Sequence, residues 1–276
     1  MLNYNEKVIL PIGVDVDGVR YREVVIDEMT GVDEENLTSK KVKNNSAKGV
    51  TLLLQRCIQE ITGLVEKKRN RLGLIDEKIV RQMFVADRDF LMLSIKMLSN
   101  QERFDSHVGC GSCGHPNEIN VDLKELDVYE WEEDAPVEVE IELPRGFYQE
   151  KTETYHNKIT WAFPTGKTQE LLARVAQNQM ATSMLTSGIR KVEGMEFTPS
   201  TEDVRRLSSR DRNMFAHLIM REQVGVDTHI EFVCESCESE EEGELSLMGF
   251  FSSDTPKTRK GVRNGKSGRK LRRRDS

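Results

Sequence analysis

From Val137 to Leu143 every second residue is apolar and the residues between are glutamates, which predicts a β-strand with one buried face. Near the N-terminus, Asp17-Gly18 separates residues 8–16 from residues 19–26, two segments rich in apolar side chains, and predicts a β-hairpin. We expect a turn at Pro11-Ile12-Gly13 within the first segment. Two distant parts of the chain therefore begin with β-structure.

Each β region is followed by residues with the period of a helix. From Val50 to Ile61 the apolar residues lie three and four positions apart, which predicts a helix with one buried face that ends near Gly63. Leu172 to Met184 predicts an equivalent helix that ends near Gly188. Cys57 lies on the first apolar face and is expected to be a buried, unreactive side chain.

Aspartates mark the predicted starts of further helices. Asp76 is expected to cap a short helix that runs to Met83, and Asp87 to begin the next one. Asp87-Arg88 recurs as Asp211-Arg212 at another predicted helix start. A carboxylate in the first turn interacts favourably with the helix dipole, so we expect a structural rather than a catalytic role for both aspartates.

A C-x-x-C motif occurs twice, as Cys110-Gly-Ser-Cys113 and, 124 residues later, as Cys234-Glu-Ser-Cys237. The same offset, without gaps, superposes identical residues elsewhere: Val80-Arg81 on Val204-Arg205, Asp87-Arg88 on Asp211-Arg212, Ile95 on Ile219, Glu118 on Glu242 and Leu123 on Leu247. A constant offset over this distance indicates an internal duplication.

The duplication and the predicted elements together define the expected fold class, α+β. We expect two tandem related domains, residues 1–134 and 135–253, each with a β-hairpin region, two to three helices and a C-x-x-C hairpin. Residues 254–276 are rich in Gly, Lys, Arg and Ser, and we expect them to form a disordered basic tail.

The four paired cysteines, Cys110, Cys113, Cys234 and Cys237, are the candidate metal ligands. Thiolates at this short spacing are typical of structural Zn²⁺ sites, and a reducing cytosol disfavours disulfides. A redox role requires thiols of low pKa, and we expect the carboxylates of Glu235 and Glu238 to raise the pKa values of the second pair. Zinc is therefore favoured over thiol chemistry.

Two arrangements of the metal are compatible with the sequence, because zinc takes four ligands and each motif supplies two. In one, both pairs share a single ion across a pseudo-two-fold axis. In the other, two separate sites are completed by His107, His115 or His229. The first arrangement is the simpler closed site.

Composition restricts the function classes. The 276 residues carry a net charge of −7, are 32% charged and contain no apolar run long enough to span a membrane and no signal-peptide pattern, so we expect a soluble intracellular protein. Residues 254–276 hold ten Lys or Arg against two Asp, a charge of +8 that leaves −15 for the rest. Nucleic-acid binding is therefore expected only through the tail.

The sequence contains no arrangement that indicates an enzyme. Gly166-Lys167-Thr168 resembles the end of a phosphate-binding loop, but that motif requires a glycine where Trp161 stands. The five histidines show no metalloprotease spacing, and no nucleophile motif is present.

Several of these features resemble one known family. They are Leu10-Pro11 with the Asp17-Gly18 hairpin, Gly31-Val-Asp-Glu-Glu35, Leu53-Leu-Gln-Arg-Cys-Ile58 followed by Ile61-Thr-Gly63, Ala86-Asp-Arg-Asp-Phe90-Leu91, the C-x-x-C hairpin and Phe250-Phe251. Together they resemble the baseplate hub assembly proteins of contractile-tailed bacteriophages, which are similar to tail assembly chaperones.

The resemblance spans residues 7–251 and implies a non-enzymatic protein that contacts phage tail or baseplate proteins in the host cytoplasm; it leaves open whether the protein stays in the virion baseplate or leaves after assembly. It transfers no catalytic residue. The second C-x-x-C pair lacks the glycine that follows Cys113, and the basic tail is not part of the family pattern. The alternative is a zinc-ribbon nucleic-acid-binding regulator, which the glutamates around Cys234 and Cys237 disfavour.

Overall fold

The computed structural model describes residues 5–39, 42, 45–65, 69–99, 102–132, 135–221 and 224–245. Helices and small antiparallel sheets alternate along this part of the chain, as the α+β expectation required. We use "first half" for residues 5–132 and "second half" for residues 135–245. The expected disordered tail, residues 254–276, and Phe250-Phe251 lie outside the described residues.

The first half begins with a three-stranded antiparallel sheet in the order β1-β2-β3. Helices pack against this sheet, and a β-hairpin follows them. The elements are β1 Glu6–Val16, β2 Val19–Ile26, α1 Gly31–Thr38, α2 Ser46–Cys57, β3 Ile58–Ile61, α3 Glu77–Gln82, α4 Val85–Leu98, β4 Arg103–Gly109, β5 Pro116–Asp122 and β6 Val128–Tyr129.

The second half repeats this arrangement, with a sheet in the order β7-β8-β9 and a closing β-hairpin. Its elements are β7 Glu138–Gln149, β8 Thr154–Ala162, α5 Gly166–Leu172, α6 Met180–Gly188, β9 Ile189–Val192, α7 Thr201–Arg206, α8 Ser209–Arg221, β10 Gly225–Val226, β11 His229–Val233 and β12 Glu240–Glu244. None of the helices in the described residues combines the length and apolar character that crossing a bilayer requires.

The helix predicted to extend to Gly63 ends earlier. It stops at Cys57, and Ile58–Ile61 form β3, which pairs with β2. A bulge opposite Val25 and Ile26 lets Ile58 and Ile61 both reach the core, although residues three apart in a regular strand face opposite sides. The bulge therefore places two residues that are three positions apart on the same face, as a helix would. Cys57 is buried as expected, and burial raises the pKa of its thiol to about 12.

The equivalent prediction in the second half is wrong over part of its length. Residues 172–184 form the end of α5, a turn, a short 3-10 segment and the first part of α6, not one helix. Met184 is 42% exposed, whereas the adjacent Leu185 is buried. The end near Gly188 is correct, because α6 stops there and β9 follows.

Pro11-Ile12-Gly13 does not form a turn, because β1 runs through it as a single strand. The register of the β1–β2 pair shifts between Ile9 and Val14, and Gly13 has a φ of 102° at this bulge. The β7–β8 pair shifts at the equivalent point, where Gly146 has a φ of 85°. Only glycine adopts such a φ without strain, so both bulges require it.

The repeated aspartates hold these bulges against helices. Asp87 is fully buried, and its carboxylate accepts hydrogen bonds from the backbone N–H of Ile12 at 2.8 Å and of Gly13 at 3.1 Å. Asp211, also fully buried, accepts from the backbone N–H of Arg145 at 3.0 Å and from Ser208. Asp87 therefore joins α4 to β1 and Asp211 joins α8 to β7, while Asp211 also bonds Ser208, which directly precedes its own helix.

The arginine that follows each aspartate reaches the helix that precedes the third strand of its half, α2 for Arg88 and α6 for Arg212. Arg88 is fully buried and donates to Thr51 Oγ1 at 3.0 Å, and Arg212 donates to Thr182 Oγ1 at 2.8 Å. Arg88 also donates to Gln169 Oε1 in the second half at 3.1 Å. The Asp-Arg dipeptide therefore fixes the sheet, two helices and, at Arg88, the junction of the two halves.

Two large hydrophobic clusters form the core, and they exchange side chains across the junction. One lies mainly in the first half and includes the partly buried Val226 from the second half. The other lies mainly in the second half and includes Ile12 and Phe84 from the first. Gly166 packs against the junction, where a β-carbon would lie 2.5 Å from the Arg88 guanidinium. The Gly166 N–H donates to the Met83 carbonyl at 2.9 Å and so already has a partner within the protein.

Replacing Asp87 with alanine should lower the free energy of unfolding by about 3 kcal/mol, because it leaves two buried N–H groups without an acceptor. Asp211→Ala should cost less, about 2 kcal/mol, since it removes one such acceptor and a helix cap. Denaturant unfolding of both variants measures the difference. Equal stability of Asp87→Ala and wild type would contradict the role given to this carboxylate.

Burial raises the pKa of Asp87 to about 6, although the N–H donors of Ile12 and Gly13 lower it. Because the pKa in the folded state exceeds the unfolded value of about 3.9, the folded protein holds the proton more tightly. The contribution of Asp87 to the free energy of unfolding is therefore greatest below about pH 4, and it falls by about 3 kcal/mol as the pH rises through 6. Asp87→Asn should remove this component, as unfolding at a series of pH values would reveal. Parallel pH curves for variant and wild type would refute it.

Candidate metal centre

The two C-x-x-C motifs lie at the tips of two β-hairpins. We call the hairpin of β4 and β5 the first knuckle, residues 103–122, and the hairpin of β11 and β12 the second knuckle, residues 229–244. A small apolar cluster of Val121, Ile230 and Leu245 packs between them. Isolated two-stranded hairpins are marginally stable, so contacts between the knuckles matter for both.

The turns at the two tips have the same hydrogen bonds. The Cys110 N–H donates to the His115 carbonyl at 2.8 Å, and the Cys234 N–H donates to the Ser239 carbonyl at 2.9 Å. Gly114 and Glu238 occupy the same position and both have positive φ, 72° and 60°. The missing glycine of the second motif is therefore replaced by a residue that adopts the left-handed conformation.

The two tips bring all four paired cysteines together. Cys110 Sγ lies 3.6 Å from Cys237 Sγ, and Cys113 Sγ lies 3.7 Å from Cys234 Sγ. All four sulfur atoms lie within 4.8 Å of one another. A tetrahedral zinc ion with Zn–S bonds of about 2.3 Å separates its sulfur ligands by about 3.8 Å. The sulfurs therefore have the spacing of one tetrathiolate site, and they are too far apart for disulfides.

Backbone groups in the second knuckle favour thiolates, contrary to the expectation from the nearby carboxylates. The Cys237 N–H, with further donors that include the Ser236 N–H, lowers the pKa of Cys234 to about 6. The pKa of Cys237 is also lowered, first by the Ser239 hydroxyl. The expectation failed because Glu235 and Glu238 are exposed at the surface, whereas the N–H groups contact the sulfurs directly.

The first knuckle differs in its outer cysteine. The backbone N–H of His115 lowers the pKa of Cys113, but the neighbouring thiols, Cys237 first, outweigh it and raise that pKa to about 12. A cation among the sulfurs would reverse this effect, because it replaces thiol–thiol contacts by metal–thiolate bonds.

The histidines considered as alternative ligands do not join the cysteine cluster in the described residues. His107 lies on β4, and His115 contributes its backbone carbonyl to the first turn. His229 lies near Glu231 and Glu242 on the second knuckle, in a group of three exposed side chains. Exposed side chains at this separation are common without a metal, and the cysteine cluster is the stronger candidate.

Two polar residues beside the cysteines were not anticipated from the sequence. Asn117 is 2% exposed and accepts a hydrogen bond from the Glu235 N–H at 2.9 Å. Glu241 accepts from the Gly111 N–H at 3.0 Å, and its pKa is lowered to about 2 by hydrogen bonds, first that of Ser112. The sequence did hold one signal, because the two residues are 124 positions apart, the same separation as the two C-x-x-C motifs. This signal was missed because one residue is an asparagine and the other a glutamate.

Comparison with known families gives a match over most of the chain. The model of a family described as T4 bacteriophage base plate protein matches residues 1–252. This confirms the resemblance to baseplate proteins of contractile-tailed phages. Curated proteins and solved structures gave no significant match.

Purified protein should contain about one zinc ion per chain, because four sulfurs surround one position. Cys113→Ser and Cys237→Ser should each abolish binding, since each removes one ligand of the same ion. Cys57→Ala, which alters a cysteine outside the cluster, should retain the metal. Elemental analysis of the intact chain measures all four proteins. Two zinc ions lost independently would contradict the shared site, and wild-type protein without metal would exclude zinc.

Proposed function

The chain belongs to the T4 bacteriophage base plate protein family, and from this membership we propose that it is a non-enzymatic assembly protein of the phage tail baseplate or its hub. It acts through contacts with other tail or baseplate proteins. The family match over residues 1–252 carries the proposal. Under this proposal, assembly takes place in the cytoplasm of the infected host, and the assembled protein is part of the virion baseplate.

The proposal includes an internal duplication, with residues 1–134 and 135–253 as related domains. The repeated contacts of the Asp-Arg dipeptides support it, since each aspartate binds a bulge of the first long strand and each arginine binds a helix threonine. The equivalent turns of the two knuckles give further support. These contacts are specific enough that a common origin explains them better than chance.

The proposed role of zinc is to stabilise the fold by joining the two halves. Cys110 and Cys113 come from the first half, Cys234 and Cys237 from the second, and one ion would bind all four. Structural zinc contributes roughly 10 kcal/mol of apparent binding free energy, comparable to the stability of a whole domain. Chelation should therefore loosen both halves together.

The alternative, a zinc-ribbon nucleic-acid-binding regulator, has less support. Exposed glutamates at positions 235, 238, 240 and 242 surround the second knuckle, and phosphate groups would be repelled there. The basic residues 254–276 carry a charge of +8 and remain the only part proposed to bind nucleic acid.

Affinity purification of the tagged full chain from infected cells should recover tail or baseplate proteins, because family membership implies such partners. A chain that ends at Ser253 should recover the same proteins. Nucleic acid that binds the full chain should not bind this shortened chain, and its affinity for the full chain should fall steeply as the salt concentration rises. A tagged unrelated phage protein of similar charge is the control. Recovery of only nucleic acid or transcription proteins would refute the proposal.

A further inference from the structure

Asn117 and Glu241 occupy equivalent positions in the two knuckles, 124 residues apart, and each contacts the opposite knuckle. Glu235 and Gly111, whose backbone N–H groups they bind, are also 124 residues apart. The two hydrogen bonds are therefore related by the same pseudo-two-fold axis as the two cysteine pairs. What they do bears directly on the proposed metal centre, on which this inference rests.

Asn117 is built into the first knuckle and points its carbonyl oxygen at the second. Its Nδ2 group donates to the His115 carbonyl at 3.1 Å, within its own turn. Its Oδ1 atom accepts from the Glu235 N–H at 2.9 Å, immediately after Cys234. With 2% of its surface exposed, the side chain has little freedom to move. It therefore fixes the turn that carries Cys234 relative to the turn that carries Cys110.

Glu241 makes the reciprocal contact from the second knuckle. One carboxylate oxygen accepts from the Gly111 N–H at 3.0 Å, immediately after Cys110. The other oxygen accepts from the Ser239 hydroxyl at 2.8 Å and lies 3.3 Å from Cys110 Sγ. The side chain is half-buried. It therefore fixes the turn that carries Cys110 relative to its own strand.

Correct placement of the two knuckles decides whether a metal binds. Each knuckle holds two sulfurs by its own backbone, but a tetrahedral site requires both pairs at the right distance and rotation. The apolar contact between the hairpins is small, with three buried side chains. Apolar packing is not directional, whereas a hydrogen bond between defined atoms is. The two reciprocal bonds are directional contacts between the knuckles, and they bind the N–H groups that directly follow Cys110 and Cys234.

We propose that Asn117 and Glu241 are positioning residues that hold the two knuckles in the geometry of a single tetrathiolate metal site. Groups that orient ligands from outside the coordination sphere typically change metal affinity 10–100-fold when removed. At Glu241 it is the acceptor oxygen that is required, not the negative charge. A carboxylate 3.3 Å from a metal-bound Cys110 thiolate would repel it.

Cobalt(II) and zinc binding to the full chain test this proposal. Asn117→Ala and Glu241→Ala should each weaken zinc binding about 10–100-fold in competition with a chromophoric chelator, and should alter the cobalt–thiolate absorption spectrum. Glu241→Gln should bind at least as tightly as wild type, because its amide oxygen still accepts the Gly111 N–H and its amide nitrogen can donate to the thiolate. Asn120→Ala and Glu240→Ala alter residues on the same two strands and serve as matched controls. Both should bind zinc with the affinity of the wild type.

Wild-type affinities and spectra for both alanine variants would overturn the inference while the metal centre stands. Equal weakening by the two control substitutions would also overturn it, because the effect would then be general to the hairpins. If Glu241→Gln binds zinc as weakly as Glu241→Ala, the negative charge of Glu241 is what metal binding requires, and a positioning role for Glu241 is excluded. If Asn117→Ala does not fold, the Glu241 pair decides. Wild-type protein that binds neither metal would refute the proposed centre itself.

Discussion

The fold depends on a buried aspartate that satisfies the backbone of a bulged strand. The bulge in β1 turns the N–H groups of Ile12 and Gly13 away from β2, and each would cost about 1–3 kcal/mol if it remained buried without an acceptor. Asp87 accepts both and thereby fixes where α4 begins above the sheet. Because Arg88 follows directly, the same constraint directs its guanidinium toward α2 and across to α5. Sheet, helices and junction are thus positioned by two consecutive residues.

The contact between the knuckles depends on a different kind of constraint, because it has a small apolar cluster of its own, although the base of the first knuckle also reaches the first-half core through Phe104. The apolar contact between them consists of Val121, Ile230 and Leu245 with a few partly buried neighbours. At about 25 cal/mol per Å² of buried apolar area, three such side chains contribute only a few kcal/mol, which is offset by the entropy of ordering two hairpins. Hydrogen bonds between the turns and, in the proposed centre, a metal ion supply the remaining stabilisation.

The sequence correctly predicted turns and caps, whose structure depends on residues that are close together in the chain. Asp17-Gly18 gave the first hairpin, Asp76 capped α3 as expected, and the C-x-x-C spacing predicted that both cysteine pairs lie in hairpin turns. The misplaced boundaries depend on pairing with distant strands. Ile58 and Ile61 have helical spacing, yet a bulge against β2 makes them a strand, and no local signal distinguishes the two cases. Asn117 and Glu241 were missed because an asparagine and a glutamate become equivalent only when their partners, Glu235 and Gly111, are known.

The two halves differ in the contacts of the arginine that follows each buried aspartate. Arg88 is fully buried and reaches Gln169 in the other half, and Gly166 leaves the space that its guanidinium fills. Arg212, at the equivalent position, is half-buried and contacts Thr182 in its own half. The proposed tetrathiolate site imposes the opposite condition, because it takes two sulfurs from each half, and two similar turns supply them. Under the proposed duplication, the metal centre therefore preserves the pseudo-two-fold symmetry, while the Arg88 junction breaks it.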